Sequence, residues 1–306
     1  MQRYILIRVL QAIFVLFAVS IIVFALARAS GNPLILMLPL DAEPEAFEIL
    51  AEHWGLDQPY HIQYWRFISN AVQGDFGDSF KWPGHTAIGL VSTRLVASLQ
   101  LILTALILAA IMAVVLGVIT AAAKDTPLDF VGKIFALMGQ SAPNFWIGIM
   151  LIWIFGVELG LLPTSGRGGI SHMILPVITI GWFEVAAIMR LVRSSMLDTM
   201  DSEYVKLARI KGVSERKIIW KHCLRNAAIA PLTYFGVIAG ALITGSVIVE
   251  TVFAWPGIGL LAIQAVLARD LQVVQAVAMV FAVGFVGLNL IVDILYAYLD
   301  PRIRYG

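Results

Sequence analysis

Residues 95–123 read LVASLQLILTALILAAIMAVVLGVITAAA, a run that contains no acidic or basic side chain. An α-helix needs about 20 mainly apolar residues to cross the hydrocarbon core of a bilayer, so this stretch is long enough to cross it once. Its apolar residues follow one another in a block, whereas a transmembrane β-strand alternates apolar and polar positions. The stretch therefore predicts a transmembrane helix.

Similar apolar runs recur along the chain and bring the number of expected transmembrane helices to about six. Hydrophobic residues make up 60% of the 306 positions and charged residues 13%, whereas soluble domains average about 45–50% and 25%. The predicted fold class is therefore an all-α polytopic membrane protein. Besides 95–123, the expected spans are residues 9–27, 134–157, 174–189, 232–249 and 273–299.

Two of these runs leave a structural choice open. Residues 1–29 have the basic start and small-residue end of a secretory signal, but the apolar stretch is long, and we interpret it as an uncleaved N-terminal transmembrane helix. The run 174–189 is short and contains Pro176 and Glu184. A proline interrupts helical hydrogen bonding but is tolerated in a packed bundle, so the sequence leaves open whether this span is continuous or broken.

The basic residues divide unevenly between the segments that join the spans. With six spans and an inner N-terminus, 15 of the 21 Lys and Arg residues fall on the inner side, as the positive-inside rule requires. Both termini are then cytoplasmic. Residues 30–94 form an extracytoplasmic segment, and a core domain of five spans, residues 95–306, contains a basic cytoplasmic loop at 191–230.

Several activities lack the residues that they need. A net charge of +1 gives no basic surface for nucleic acid. The Gly-Lys pair at 132–133 is followed by Ile134, so the phosphate-binding loop of an ATPase is absent. No Gly-x-Ser-x-Gly or His-Glu-x-x-His sequence supports hydrolysis. Cys223 has only His222 beside it, which is too few ligands for a metal.

The extracytoplasmic segment has a pattern of its own. A helix is predicted from Glu45 to Trp54, and aromatic residues cluster there and just after it: Trp54, Tyr60, Tyr64, Trp65 and Phe67. Trp and Tyr are enriched where a bilayer meets water, so an interfacial amphipathic helix explains them. A docking surface for an external substrate-delivering protein explains them too, since long ordered loops are commonly functional. Both interpretations stay open.

The cytoplasmic loop 191–230 is hydrophilic yet strongly patterned. Residues 202–211 predict a short helix, with Ser202 able to cap its first amide groups and Gly212 ending it. Ser214 begins a second helix that mixes apolar and basic side chains and suits the inner membrane surface. The first helix has a mixed face, with Tyr204, Leu207 and Ala208 beside Lys206 and Arg209. The candidate residues for coupling to a cytoplasmic protein are Glu203, Tyr204, Leu207, Ala208, Arg209, Lys211 and Gly212. Attachment to anionic lipid accounts for the basic residues alone, whereas the mixed face favours docking of a cytoplasmic protein.

Glu184 is the best candidate for a residue of the substrate pathway. A carboxylate in lipid is costly and usually faces the protein interior or an aqueous cavity. Within the pathway Glu184 would contact a substrate amine or pair with Arg190. Arg190 alternatively extends its charged end to the inner interface. Glu250 and Asp293 lie near span ends, where solvation at the interface is the simpler explanation.

Several short motifs occur in order along nearly the whole chain. Residues 203–215 of the cytoplasmic loop read EYVKLARIKGVSE, and the other motifs are GLDQP at 55–59, GDFG at 74–77, LPTSG at 162–166, the stretch 250–259 and LDPR at 299–302. Together they resemble binding-protein-dependent ABC permeases, specifically the dipeptide and oligopeptide branch. Lys206 and Leu207 depart from the Arg-Thr pair of many members, which leaves the docking role intact.

This resemblance implies a type I importer permease fold in a bacterial inner membrane. It implies a heterodimer with a second, homologous permease, two cytoplasmic ATPase subunits and an extracytoplasmic solute-binding protein. This chain is then a non-catalytic subunit without a cofactor, because the ATPase subunits bind ATP and Mg²⁺. The helix at 203–211, stopped by Gly212, would lie in a groove of an ATPase subunit. The cargo implied is peptides or similar small solutes, and relatives also carry glutathione, nickel chelates and opine-like compounds.

A proton-coupled secondary transporter is the main alternative. It would use Glu184 and Asp293 as proton relays and would need no ATPase. Such carriers are commonly built from internal repeats, and we find none in this sequence. They also have no need of a patterned docking helix that ends at Gly212. The sequence therefore favours the ATP-driven permease.

Overall fold

The computed structural model describes residues 2–29 and 43–299, which are mostly helical. Residues 30–42, the start of the outer segment, and the motif residues 300–302 lie outside the described residues. The long helices and their short companions are α1 Gln2–Ala29, α2 Pro44–Trp54, α3 Tyr60–Val72, α4 Ala87–Ala122, α5 Pro127–Ser141, α6 Asn144–Leu151, α7 Ile170–Met200, α8 Glu203–Ile210, α9 Ile229–Val252, α10 Ile258–Leu267 and α11 Leu271–Leu299.

Two stretches of π-helix interrupt this pattern. The first, Ile152–Glu158, continues α6. The second, Ile218–Cys223, is flanked by the short helices Glu215–Lys217 and Leu224–Ala227, and together the three pieces form segment 215–227 between α8 and α9. Single turns of π-helix are frequent at functional sites.

The number of membrane-spanning helices agrees with the sequence. In the described part of the chain, α1, α4, α7, α9 and α11 are each long and apolar enough to cross a bilayer. The bent pair Pro127–Ser141 and Asn144–Glu158 makes a sixth span if the pair is counted as one. The all-α polytopic fold class is therefore confirmed.

The break falls in the third span, and the fourth span, whose continuity the sequence left open, is unbroken. α5 and α6 meet at an angle of 104°, whereas α7 continues through Pro176. A proline disfavours helical geometry in the residue before it, and Ala142, before Pro143, is extended at φ −97° and ψ 132°. Pro176 is buried in the second turn of α7, where a packed bundle tolerates the loss of one hydrogen bond.

Contacts group the chain into two units, and the first comprises residues 1–98 and 256–306. Within it α1 packs along α11, and α3 packs on α1. Tyr64 lies edge-on to Phe24, and its hydroxyl group is 2.8 Å from Ser20 Oγ. Tyr60 and Trp65 remain exposed, while the side chain of Trp54 lies outside what the structure describes. The aromatic cluster thus contains both packed and exposed side chains.

A buried carboxylate fixes the outer loop of this first unit. Asp270 precedes α11 and accepts hydrogen bonds from Ser79 Oγ at 2.5 Å and from the Lys81 N–H at 3.0 Å. It also accepts from the Val273 N–H at 3.3 Å, in the first turn of α11. One side chain therefore caps a helix and holds the loop that precedes α4.

The second unit, residues 99–255, is built around α7. α5, α6 and α9 all pack on α7. The approach of α5 is close, because a Cβ atom added at Gly139 would overlap the Cβ of Ala186. The basic loop that contains α8 continues directly from the end of α7 and belongs to the same unit.

Candidate functional site

The short helix α8, in the basic loop 191–230, lies where the sequence predicts it. Ser202 has the extended backbone of an N-cap, but its hydroxyl donates to the Thr199 carbonyl at 2.5 Å, so the predicted side-chain cap was wrong. The reason is that the last turn of a helix leaves its carbonyls free to accept. At the other end Gly212 takes φ +74°, a conformation that costs residues with a Cβ energy. The predicted stop at Gly212 is confirmed.

α8 is held against segment 215–227. Val205 is fully buried, and α8 contacts the π-helical part of the segment. Arg209 Nε donates to Glu215 Oε1 at 2.7 Å, and Asn226 Nδ2 donates to the Tyr204 hydroxyl at 2.9 Å. Hydrogen bonds at both ends of α8 thus join it to segment 215–227. The arrangement is the helix, turn and helix that the sequence predicts.

The opposite face of α8 is exposed and partly apolar. Leu207 is 51% exposed and Ile210 82% exposed, and residues three apart lie on the same face of a helix. Lys206 Nζ and Glu203 Oε1 form an exposed ion pair 2.8 Å apart beside them. Ala208 is half-buried, whereas Lys211 and Gly212 are exposed. The predicted contact residues therefore lie on or beside one accessible surface.

Ile210 is part of this surface, although the sequence analysis did not select it. The signal was present, because an apolar residue three positions after Leu207 extends the same face. It was overlooked because the neighbouring charges, Arg209 and Lys211, dominate the composition of the helix.

Two groups beside this surface have shifted pKa values. The Glu215 carboxylate, through its hydrogen bond, raises the pKa of the Arg209 guanidinium above its ordinary value. Burial raises the pKa of the Cys223 thiol, because a thiolate is poorly solvated there. Arg209 therefore stays charged and Cys223 stays protonated at neutral pH.

The two predicted substrate-pathway residues are not brought together. Glu184 is buried on α7, and its Oε2 has no hydrogen-bond partner among the described residues. Arg190 is exposed on the same helix, and a separation of six residues corresponds to about 9 Å along the axis. No ion pair joins them in the described part of the chain. Tyr234 of α9 interacts electrostatically with both.

The remaining charged residues near span ends differ from expectation. Glu250 is fully buried and accepts a hydrogen bond from Ser246 Oγ at 3.1 Å, so the expectation of interfacial solvation was wrong for it. The reason is that α9 turns this face inward, toward protein instead of water. Asp293 of α11 pairs with Arg8 of α1 at 3.3 Å. Asp293 therefore joins two helices of the first unit.

Comparison with known proteins gives three concordant results. A family model described as "Binding-protein-dependent transport system inner membrane component" matches residues 113–305, and its N-terminal companion matches residues 1–89. The glutathione transport system permease proteins GsiC of Escherichia coli (strain K12) and Shigella dysenteriae serotype 1 (strain Sd197) are each 40% identical over 306 residues, which is 100% of both chains. A crystal structure of an amino acid ABC transporter with histidines matches with a TM-score of 0.55 at 16% identity, over 68% of this chain and 94% of that chain.

A chain with five or six apolar spans and an exposed helix on its basic loop has the features of a membrane-embedded transport subunit. The matched fold is that of a type I ABC importer permease. The chain belongs to the family of binding-protein-dependent transport system inner membrane components. It is therefore a non-catalytic permease subunit of an ABC importer, a class that works with ATPase subunits, a binding protein and a second permease. The predicted family, fold and class of function are confirmed.

Proposed function

We propose that this permease imports peptides or similar small solutes, and that glutathione is the first solute to test. The support for this substrate class is the identity of 40% along the whole chain to permeases named for glutathione transport. A solute-binding protein delivers the solute on the extracytoplasmic side, and separate ATPase subunits drive its passage.

The assembly is a heterodimer with one homologous permease, served by two cytoplasmic ATPase subunits. Both termini lie in the cytoplasm, since that orientation keeps the basic loop 191–230 inside. Residues 1–29 form the N-terminal span, residues 30–94 the extracytoplasmic segment and residues 95–306 the core permease domain. Two family models match residues 1–89 and 113–305 separately, which supports a boundary between the extracytoplasmic segment and the core permease domain.

The helix α8 docks in a groove of an ATPase subunit. The observation that carries this proposal is the exposed pair Leu207 and Ile210 on a helix held firmly by segment 215–227. Glu203, Leu207 and Lys211 contact the ATPase, and Gly212 ends the helix. Tyr204, Ala208 and Arg209 support α8 from behind. ATP-driven closure shifts the permease only if these contacts differ in strength between its two states.

Glu184 and Arg190 line the substrate pathway. A buried carboxylate with one oxygen unpartnered among the described residues is able to accept a hydrogen bond from a substrate ammonium group. Arg190 lies nearer the cytoplasmic loop, and its exposed guanidinium favours the anionic end of a solute. Glu184→Gln should raise the KM for peptides with a free amino terminus and leave N-acetylated peptides unchanged. Equal KM changes for both would contradict this assignment.

The experiment that tests the whole proposal uses the complete complex in proteoliposomes. The tagged permease is co-purified with its partners as wild type and as the double variant Ala208→Glu, Gly212→Pro. The wild type should retain the ATPase subunits and take up glutathione or a dipeptide only with ATP. The double variant should lose the ATPase subunits while it keeps the second permease. Uptake that follows a proton gradient without ATP would overturn the proposal.

A further inference from the structure

A buried carboxylate joins α5 to α7 within the unit formed by residues 99–255. Asp129 of α5 is fully buried. Arg193 of α7 donates to both of its oxygens, from Nε at 2.7 Å and from Nη2 at 2.9 Å. Lys133 Nζ adds an ion pair at 2.8 Å, and the Asp125 N–H donates at 3.2 Å. A bidentate pair of this kind fixes the orientation of both partners as well as their separation.

The helices around this pair have little room to slide. A Cβ atom added at Gly132, three residues after Asp129, would overlap Thr120 of α4 and lie 3.0 Å from Met189 of α7. A Cβ atom at Gly117 of α4 would lie 2.7 Å from the Val192 side chain, next to Arg193. The ion pair thus lies where α4, α5 and α7 come closest together.

Arg193 is also directly connected to the docking helix. It lies ten residues before Glu203. α7 continues to Met200, and only Asp201 and the extended Ser202 separate it from α8. Because this link is two residues long and α7 also contacts α8, a displacement of α8 reaches Arg193 through α7. On the other side of the pair, α5 leads to its 104° break with α6.

We propose that the Asp129–Arg193 pair is a clamp that makes α5 move together with α7 and α8, so that movement of the ATPase reaches the break between α5 and α6. The proposal rests on the docking of α8 described above. Separating the two side chains would leave a buried carboxylate without its main partner, which is strongly unfavourable. Asp129 and Arg193 are positioning residues, because they act on transport through the helices that they join.

The test has to distinguish a clamp from a pair that is needed only for folding. A permease with Cys223→Ser, Asp129→Cys and Arg193→Cys is assembled with its partners in proteoliposomes and then treated with a short bis-methanethiosulfonate cross-linker. Before cross-linking, ATP hydrolysis should continue, while solute transported per ATP falls about tenfold, a typical size for coupling between two sites. Cross-linking should restore the amount of solute transported per ATP, and removal of the linker by a reducing agent should lower that amount again. A folding role would not respond to a linker added after assembly.

Two single variants complete the design. Arg193→Lys keeps the charge but loses the bidentate geometry and should lower transport per ATP by a smaller factor. Asp198→Asn removes an exposed carboxylate of α7 that forms no ion pair within the described residues, and it should change nothing.

The clamp is overturned if cross-linking fails to restore transport or if Arg193→Lys leaves the ratio at the wild-type value. If the cysteine variant does not assemble, the ratio measured for Arg193→Lys alone decides whether the clamp is overturned. Failure of the wild-type permease to retain the ATPase subunits would contradict the docking of α8 and, with it, the clamp. This outcome is seen in the wild-type complex, before any variant is made.

Discussion

Truncation of the exposed pair on α8, Leu207→Ala with Ile210→Ala, should weaken binding of the ATPase without disturbing the permease. Both side chains project from a helix whose attachment to the protein uses other residues, Val205, Tyr204 and Arg209. The fold therefore loses little when the pair is removed. The docked complex loses the apolar contact.

The size of the effect follows from the exposure of each side chain. Full burial of a Leu or Ile side chain contributes about 1.5–3 kcal/mol. Docking is able to bury no more than the exposed fractions, 82% for Ile210 and 51% for Leu207. Truncation to alanine should then cost about 1–2 kcal/mol at Ile210 and about 1 kcal/mol at Leu207. A total of about 2–3 kcal/mol corresponds to a roughly 30- to 150-fold higher Kd.

The assay is equilibrium binding of the purified ATPase to the permease heterodimer in nanodiscs. Val72→Ala serves as the matched control, because Val72 is also 82% exposed but lies in the segment 30–94, which we propose to be on the opposite side of the membrane. It should leave the Kd unchanged. An increase of less than threefold in the double variant, or an equal increase in the control, would refute the docking argument.

Three further predictions concern stability and reactivity. Gly212→Ala forces a residue with a Cβ into φ +74° and should cost about 1–2 kcal/mol, seen as a lower Tm in detergent, whereas Gly245→Ala, with its nearest atom at 3.9 Å, should leave the Tm unchanged. Gly139→Val should push α5 away from Ala186 and cost about 1–3 kcal/mol; an unchanged Tm would mean that the two helices do not pack closely. Because burial raises the pKa of Cys223, N-ethylmaleimide should modify its thiol slowly at pH 7 and faster as the pH rises, and rapid labelling at pH 7 would show that segment 215–227 is open.

The spans were predictable because lipid demands long apolar blocks, and residues 95–123 leave no other choice. The position of the break was not predictable. The runs 134–157 and 174–189 each contain a proline, and local sequence does not say which proline the surrounding helices can accommodate. Pro176 is buried against neighbours that support a continuous helix, whereas Ala142 before Pro143 takes an extended conformation. Packing between distant segments decided between them.

The candidate site shows the same division. The end of α8 at Gly212 depends on one residue's conformation and was predictable from sequence. The hydrogen bond of Ser202 depends on which carbonyl lies nearest in space, and it was predicted incorrectly. The pairing of Asp129 with Arg193 spans 64 positions, and neither residue carries a local signal for the other. Contacts of that kind become visible only in the folded chain.

The break between α5 and α6 has a consequence for how the protein is made. α5 has 15 residues, about 22 Å of helix, which is shorter than the roughly 30 Å hydrocarbon core. We expect the insertion machinery to receive residues 134–157 as one apolar segment and to insert them as a straight span. The bend should then form once α7 has left the ribosome, because α5 and α6 both pack on α7. Glycosylation mapping of chains truncated before and after α7 should show the change, and an identical pattern in both would contradict this order of events.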